Sequence, residues 1–224
     1  MTLANTTLGR IVLDHPACAS VLQDLRIDFC CKGDLTLSAA CGLRGVDTTE
    51  VVGRLERAIA AGEPPAAEDP QRMSTAELVA HIVSCHHQFL RTALPLLGYL
   101  VSKVARVHGE HNPKLVELEQ VFVRLRDLLD AHLDDEENVL FRLVTGPAPR
   151  GAEGGIALAG AQREHLEVGA ALHRIRDLTD DFTTPDWACT SYERLLSELR
   201  ALEGDVLRHV HLENHVLFPR LAAA

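Results

Sequence analysis

Apolar residues recur at intervals of three and four through most of the chain, the spacing of amphipathic helices. Leu8, Ile11, Val12, Val21, Leu22 and Leu25 outline short helices near the N-terminus. Asp47 and Glu50 have the spacing of a capping box and predict a helix over 48–61. Residues 62–70 hold Gly62, Pro64, Pro65 and Pro70, too many breakers to sustain a helix. This stretch is expected to be a linker, dividing a small helical domain, residues 1–66, from residues 67–224. Four longer helical segments follow. The first opens on the capping-box pair Ser74 and Glu77 and carries Leu78, Val79, Ile82, Val83, Phe89 and Leu90, with Pro95 expected to kink or end it. The second is predicted over 113–144, with Pro113 in its first turn. A Gly- and Pro-rich break spans 146–155, and the third helix is predicted over 156–179. Thr184-Pro185 then supplies a cap and a first-turn proline for a fourth helix ending near residue 221. Alternating Val/Thr/Tyr runs are scarce, so the fold class is all-α: an antiparallel four-helix bundle preceded by a small helical domain.

One local pattern occurs twice. Residues 132–141 and 209–218 both read His-x-x-x-Glu-x-x-Val-Leu-Phe. Positions i and i+4 share a helix face, so His132 with Glu136, and His209 with Glu213, each project an imidazole and a carboxylate together. The Leu-Phe pairs that follow are expected to face the core. His87 precedes His132 by 45 residues and His165 precedes His209 by 44, which makes each half of the bundle a hairpin with one His on its first helix. A pseudo-twofold arrangement gathers four His and two Glu at one level. Buried carboxylates need compensating charge, and a pair of divalent cations supplies it. Imidazole and carboxylate donors with open positions suit iron better than structural zinc. Two carboxylates can bridge two ions while the histidines cap the ends. Among the remaining histidines, His86, His211 and His215 lie off the ligand faces, and His15, His81, His108, His111 and His173 are expected in solvent, capping or packing roles.

The formal net charge of −10 opposes a nucleic-acid partner, and no basic cluster addresses a membrane surface. The N-terminus does not read as a signal peptide, and no apolar run approaches the roughly 18 residues of a spanning helix, so a cytoplasmic location is expected. Six cysteines, at 18, 30, 31, 41, 85 and 189, have irregular spacings and are read as reduced thiols. Cys30 and Cys31 are consecutive, and a disulfide between neighbours is strained. They read as a pair for thiol, metal or persulfide exchange, with Lys32 placed to lower a thiol pKa. Cys18, Cys41, Cys85 and Cys189 are expected to pack.

With these residues in view, the bundle resembles the hemerythrin-like domains, and nearly the whole chain resembles the repair-of-iron-centres family of bacterial di-iron proteins. The stretches that carry the likeness are residues 28–33 (Asp-Phe-Cys-Cys-Lys-Gly), 164–167 and 209–219. The resemblance implies metal ligands His87, His132, Glu136, His165, His209 and Glu213, with both glutamates bridging two oxo- or hydroxo-bridged irons. It implies repair of iron–sulfur clusters damaged by nitric oxide or peroxide, through iron released from a labile site, with damaged iron–sulfur proteins as partners. The alternative is nitric oxide reduction, or binding or sensing of nitric oxide or dioxygen. Family members can carry an acid one turn before the second-helix His, where this chain has Leu128. Glu164 is kept and is the expected proton or iron route. The oligomeric state stays open, a homodimer included.

Overall fold

The structure, a computed structural model, describes residues 2–62, 69–146 and 151–222. These are helical but for turns, loops and one isolated antiparallel bridge between Thr7 and Thr36. The expected linker falls largely outside the described residues, as do positions 147–150 of the expected break. Contacts between residues divide the chain into two units: residues 1–78 with 207–224, and residues 79–206.

In the first unit a short 3-10 turn, Leu3–Asn5, leads into α1 (Leu8–Asp14), α2 (Cys18–Asp24), α3 (Leu37–Arg44) and α4 (Thr48–Ala61). Their apolar stripes bury Leu8, Ile11, Leu22, Leu37 and Leu55, joined by Phe29 from the α2–α3 loop. The start of α1 is tied to that loop by backbone bonds from Leu8 to Leu35, from Gly9 to Gly33 and from Leu37 to Thr6. Asp47 caps α4 as predicted, accepting from the Glu50 N–H at 2.8 Å. The box that opens α5 (Thr75–Ile82) is reciprocal: Glu77 accepts from the Ser74 N–H and Ser74 Oγ from the Glu77 N–H.

The second unit is built from α6 (Gln88–His108), α7 (Lys114–Asp135), α9 (Gly151–Leu178) and α10 (Thr190–Leu212) up to residue 206. Cross-helix bonds show antiparallel neighbours. Arg91 reaches Asp134 while Ser102 reaches Glu119, and His132 meets Glu164 while Arg174 meets Glu117. On the α6–α10 side His86 bonds Asp205 and His108 lies 3.2 Å from Cys189. The core is a leucine-rich stripe that includes Leu94, Leu97, Leu118, Leu125, Leu195 and Leu202.

One local expectation narrows and two change. Pro95 sits inside α6 without ending it, because the buried stripe from Leu90 to Val104 holds the helix on both sides of the missing N–H. Helix α9 begins at Gly151 rather than 156; a helical glycine costs only about 1 kcal/mol, too little to stop a long helix from extending. Helix α10 begins at Thr190, not at Pro185. Pro185 instead closes a turn by accepting from the Ala188 N–H, Trp187 packs on His111 and Tyr192, and the Cys189 carbonyl takes the first helical bonds.

Among the described residues three π turns interrupt the long helices: Val83–His87 between α5 and α6, Glu136–Leu140 between α7 and α8 (Phe141–Thr145), and Glu213–Leu217 between α10 and α11 (Phe218–Ala222). Each lodges one extra residue per turn, a distortion frequent at functional sites. His87 closes the first, and Glu136 and Glu213 open the other two.

Candidate metal centre

All six predicted ligands are buried, none more than 2 % exposed, an unusual fate for carboxylates and imidazoles. The i, i+4 geometry survives on both helices because each π turn starts at the glutamate and leaves the preceding α-helical turn intact. His132 Nε2 lies 3.5 Å from Glu136 Oε2, and His209 Nε2 lies 2.9 Å from Glu213 Oε1. His87 Nε2 is also 3.5 Å from Glu136 Oε2, and the His165 ring stands edge-on to His132 with centroids 4.9 Å apart. Ligand atoms of His87, Glu136, His209 and Glu213 all lie within 4.8 Å of one another, and so do those of His132, Glu136, His165 and Glu213. The two glutamates are common to both groups. The Leu-Phe pairs after the repeats are buried as expected, whereas the repeated valine is exposed at Val139 and buried at Val216.

The outer nitrogens of two imidazoles are fixed by carboxylates that sequence reasoning missed or left without this role. His87 Nδ1 donates to Glu137 Oε1 at 2.9 Å, and His132 Nδ1 donates to Glu164 Oε2 at 2.8 Å. Such a bond sets the tautomer and leaves Nε2 as the lone-pair donor, the arrangement of a carboxylate–histidine–metal relay. Burial pushes the Glu137 carboxyl up, but bonds from His87 and Arg91 outweigh it and hold its pKa below the usual range. Glu164 also lines a cavity of about 210 Å³ with Glu136, Val139, Leu140, Ala157 and Gly160. The one signal for Glu137 was its position beside Glu136 on a helix whose outward face is otherwise charged.

The donor set therefore fits a metal on its own chemistry. Two buried carboxylates within 4.8 Å of one another repel, and cations relieve that repulsion. Four imidazoles and two carboxylates, with no thiolate, match iron and similar first-row ions.

The vicinal cysteines lie in the α2–α3 loop of the first unit. Asp28 Oδ1 accepts from the Cys31 N–H at 2.8 Å and from the Cys30 thiol at 3.3 Å, and the two sulfurs are 3.6 Å apart and unbonded. For Cys30 the expectation that Lys32 lowers a thiol pKa is corrected: the neighbouring Cys31 sulfur, burial and the Asp28 carboxylate all push it well above its ordinary value. This loop is held by the π turn that begins with Glu213. Asn214 Nδ2 donates to the Cys30 carbonyl at 3.0 Å and His215 Nε2 donates to the same oxygen at 3.1 Å. Gly9 and Gly33 flank the His215 ring so closely that a Cβ on Gly9 would sit 2.9 Å from Nδ1, and one on Gly33 would overlap the ring. His211, one turn earlier, packs edge-on against Phe29; burial holds it neutral, its pKa lowered to about 3. Off the ligand faces, His211 and His215 anchor the thiol loop. The packing role expected of Cys18 and Cys41 holds, both being buried, but Cys85 and Cys189 are exposed beside His81 and His108.

The family model of the hemerythrin HHE cation binding domain matches residues 78–221. A second model, ScdA_N, a domain of unknown function (DUF542), matches residues 4–59. Among similar proteins is an iron-sulfur cluster repair protein YtfE from Dickeya chrysanthemi, 32% identical over 220 residues, 98% of each chain. Proteins of the same name from Edwardsiella ictaluri, 33% identical over 220 residues, and Yersinia pseudotuberculosis, 32% identical over 222 residues, also match over 98% of each chain.

Proposed function

Because the chain belongs to the family of the hemerythrin HHE cation-binding domain, joined at its N-terminal side to a ScdA_N domain, we propose that it is a di-iron protein that restores damaged iron–sulfur clusters. In this reading His87, His132, Glu136, His165, His209 and Glu213 hold two irons, with the glutamates shared between them. The observation that carries it is the pair of overlapping four-residue groups, each with two histidines and the same two buried glutamates. The full-length similarity to proteins named for iron–sulfur cluster repair supplies the reaction. When bound, iron would contribute redox cycling and a releasable ferrous ion.

The protein's own contribution is to hold the donors. Glu137 and Glu164 keep His87 and His132 in the tautomer that presents Nε2, and burial keeps bulk water from competing for the ligands. Glu164 is one-third exposed, so the carboxylate that orients His132 also borders the cavity beside Glu136 and can carry a proton or receive an ion there. Damaged iron–sulfur proteins are the partners in this proposal, acting in the cytoplasm. Among the described residues, no helix is long and apolar enough to cross a membrane.

The test is cluster recovery in a damaged iron–sulfur enzyme mixed with the iron-loaded protein. Recovery is expected with the native chain and is expected to vanish with His132→Ala and with Glu136→Ala. Equal recovery with all three would end the proposal.

A second reading, binding or reduction of nitric oxide, is favoured by the cavity itself, whose wall of Val139, Leu140, Ala157 and Ala161 beside Glu136 admits a small apolar molecule. Anaerobic stopped-flow mixing of the reduced protein with nitric oxide should then change the optical spectrum within the first turnover. Enlarging Gly160 to Leu should slow that change without lowering iron content.

A further inference from the structure

The α2–α3 loop carries a second cluster of metal-ligating atoms, separate in chemistry from the imidazoles and carboxylates of the bundle. We propose that Asp28, Cys30 and Cys31 form a three-ligand site for a single divalent ion of the borderline-soft class that includes ferrous iron and zinc. This goes beyond the cluster-repair proposal and does not depend on it.

Three observations carry the site. First, one carboxylate oxygen and both sulfurs lie within 4.8 Å of one another, so one ion can meet all three with small side-chain rotations. Two thiolates and one carboxylate are a donor set that thiophilic divalent ions accept, and a fourth position is left open, as in exchange or catalytic sites rather than closed structural ones. Second, the sulfurs are 3.6 Å apart and unbonded, and a disulfide between sequence neighbours is strained, so both remain available as ligands. Third, the loop is held before any ion arrives. The Cys30 carbonyl is gripped by Asn214 and His215, the Cys31 N–H is tied to Asp28, and the His215 ring is wedged between Gly9 and Gly33. A ligand set positioned by its surroundings loses less entropy on binding.

The exchange balances without an oxidant. Two S–H bonds break, two metal–sulfur bonds form, Asp28 contributes its carboxylate oxygen, and two protons leave to solvent; no electron moves. Asp28 Oδ1 already accepts the Cys30 S–H, so it lies on the path of the first proton.

Cobalt(II) is the probe, since a sulfur-to-cobalt charge-transfer band reports thiolate ligation and nothing else in this chain. The full-length protein with its bundle metal in place is used, as the Cys85→Ser/Cys189→Ser variant, which removes the two exposed thiols outside the loop. Titration should raise the band to saturation at one cobalt per chain, with two protons released per cobalt into weak buffer. Adding Cys30→Ser and Cys31→Ser should abolish both signals while leaving the metal content of the bundle and the helical circular dichroism unchanged. Asp28→Asn keeps the acceptor for the Cys31 N–H and removes only the charge, so it should weaken cobalt binding by roughly tenfold with the band retained. No band in the starting variant, or an undiminished band after both serine substitutions, would overturn the site.

Discussion

Glu136→Gln is expected to empty the bundle centre and to remove the stability that bound metal adds. Glu136 belongs to both four-residue groups, so losing its charge weakens every ion that either group holds. Metal per chain, measured after gel filtration, should fall by about tenfold or more, since even an outer-shell carboxylate is worth roughly 10–100-fold in affinity. The effect on stability should depend on metal. With metal, the native chain is the more stable, because bound ions add their binding free energy to folding. Without metal, the Glu136 carboxyl still faces the His87 and His132 imidazoles, each Nε2 lying 3.5 Å from Oε2, and the glutamine amide keeps an oxygen for them. Urea unfolding in chelator should therefore separate the two chains by no more than about 0.5–1.5 kcal/mol, the net worth of one hydrogen bond. An equal loss of stability with and without metal would show that Glu136 supports the fold by itself and not through a bound ion.

Gly33→Ala is the second large effect. The added Cβ would overlap the His215 ring and sit 2.8 Å from the Phe29 carbonyl oxygen, so one of them must move. Overpacking of this kind costs about 1–3 kcal/mol. Phe29 is fully buried and Cys30 depends on His215 for its carbonyl, so the loss should appear both in the unfolding midpoint and in faster alkylation of Cys30. The three atoms nearest a Cβ on Gly9 all belong to the His215 ring, so Gly9→Ala provides the control. In a His215→Ala background its cost should nearly vanish, whereas Gly33→Ala should keep the part owed to the Phe29 oxygen.

Much of the candidate site was legible because its residue types repeat in step with the helix period. Two copies of His-x-x-x-Glu, with matching distances back to His87 and His165, could be read from spacing alone, and all six side chains are buried. The helix starts that were legible were those with local chemistry, as at Asp47 and Ser74. The start of α10 was not, because Thr184 and Pro185 carry the local signal of a cap, whereas Trp187 packs on distant His111 and the Cys189 carbonyl takes the first helical bonds. The π turns were also hidden. An extra residue in one turn leaves the hydrophobic pattern on either side intact and shifts only its phase, which short apolar runs do not reveal. Glu137 and Glu164 act across helices on His87 and His132, and His215 acts across 185 positions on Cys30; no periodicity within one segment encodes such partners.

The grip of Asn214 and His215 on Cys30 bears on how fragments of this protein behave. A piece comprising residues 1–66 leaves behind both donors to the Cys30 carbonyl and the imidazole that covers Phe29. Its thiols would be presented on a slack loop, more open to oxidation and to stray metals than they are in the intact chain. Truncation therefore mixes loss of the cysteines with loss of their tether, and serine substitutions at Cys30 and Cys31 in full-length protein are what separate the two.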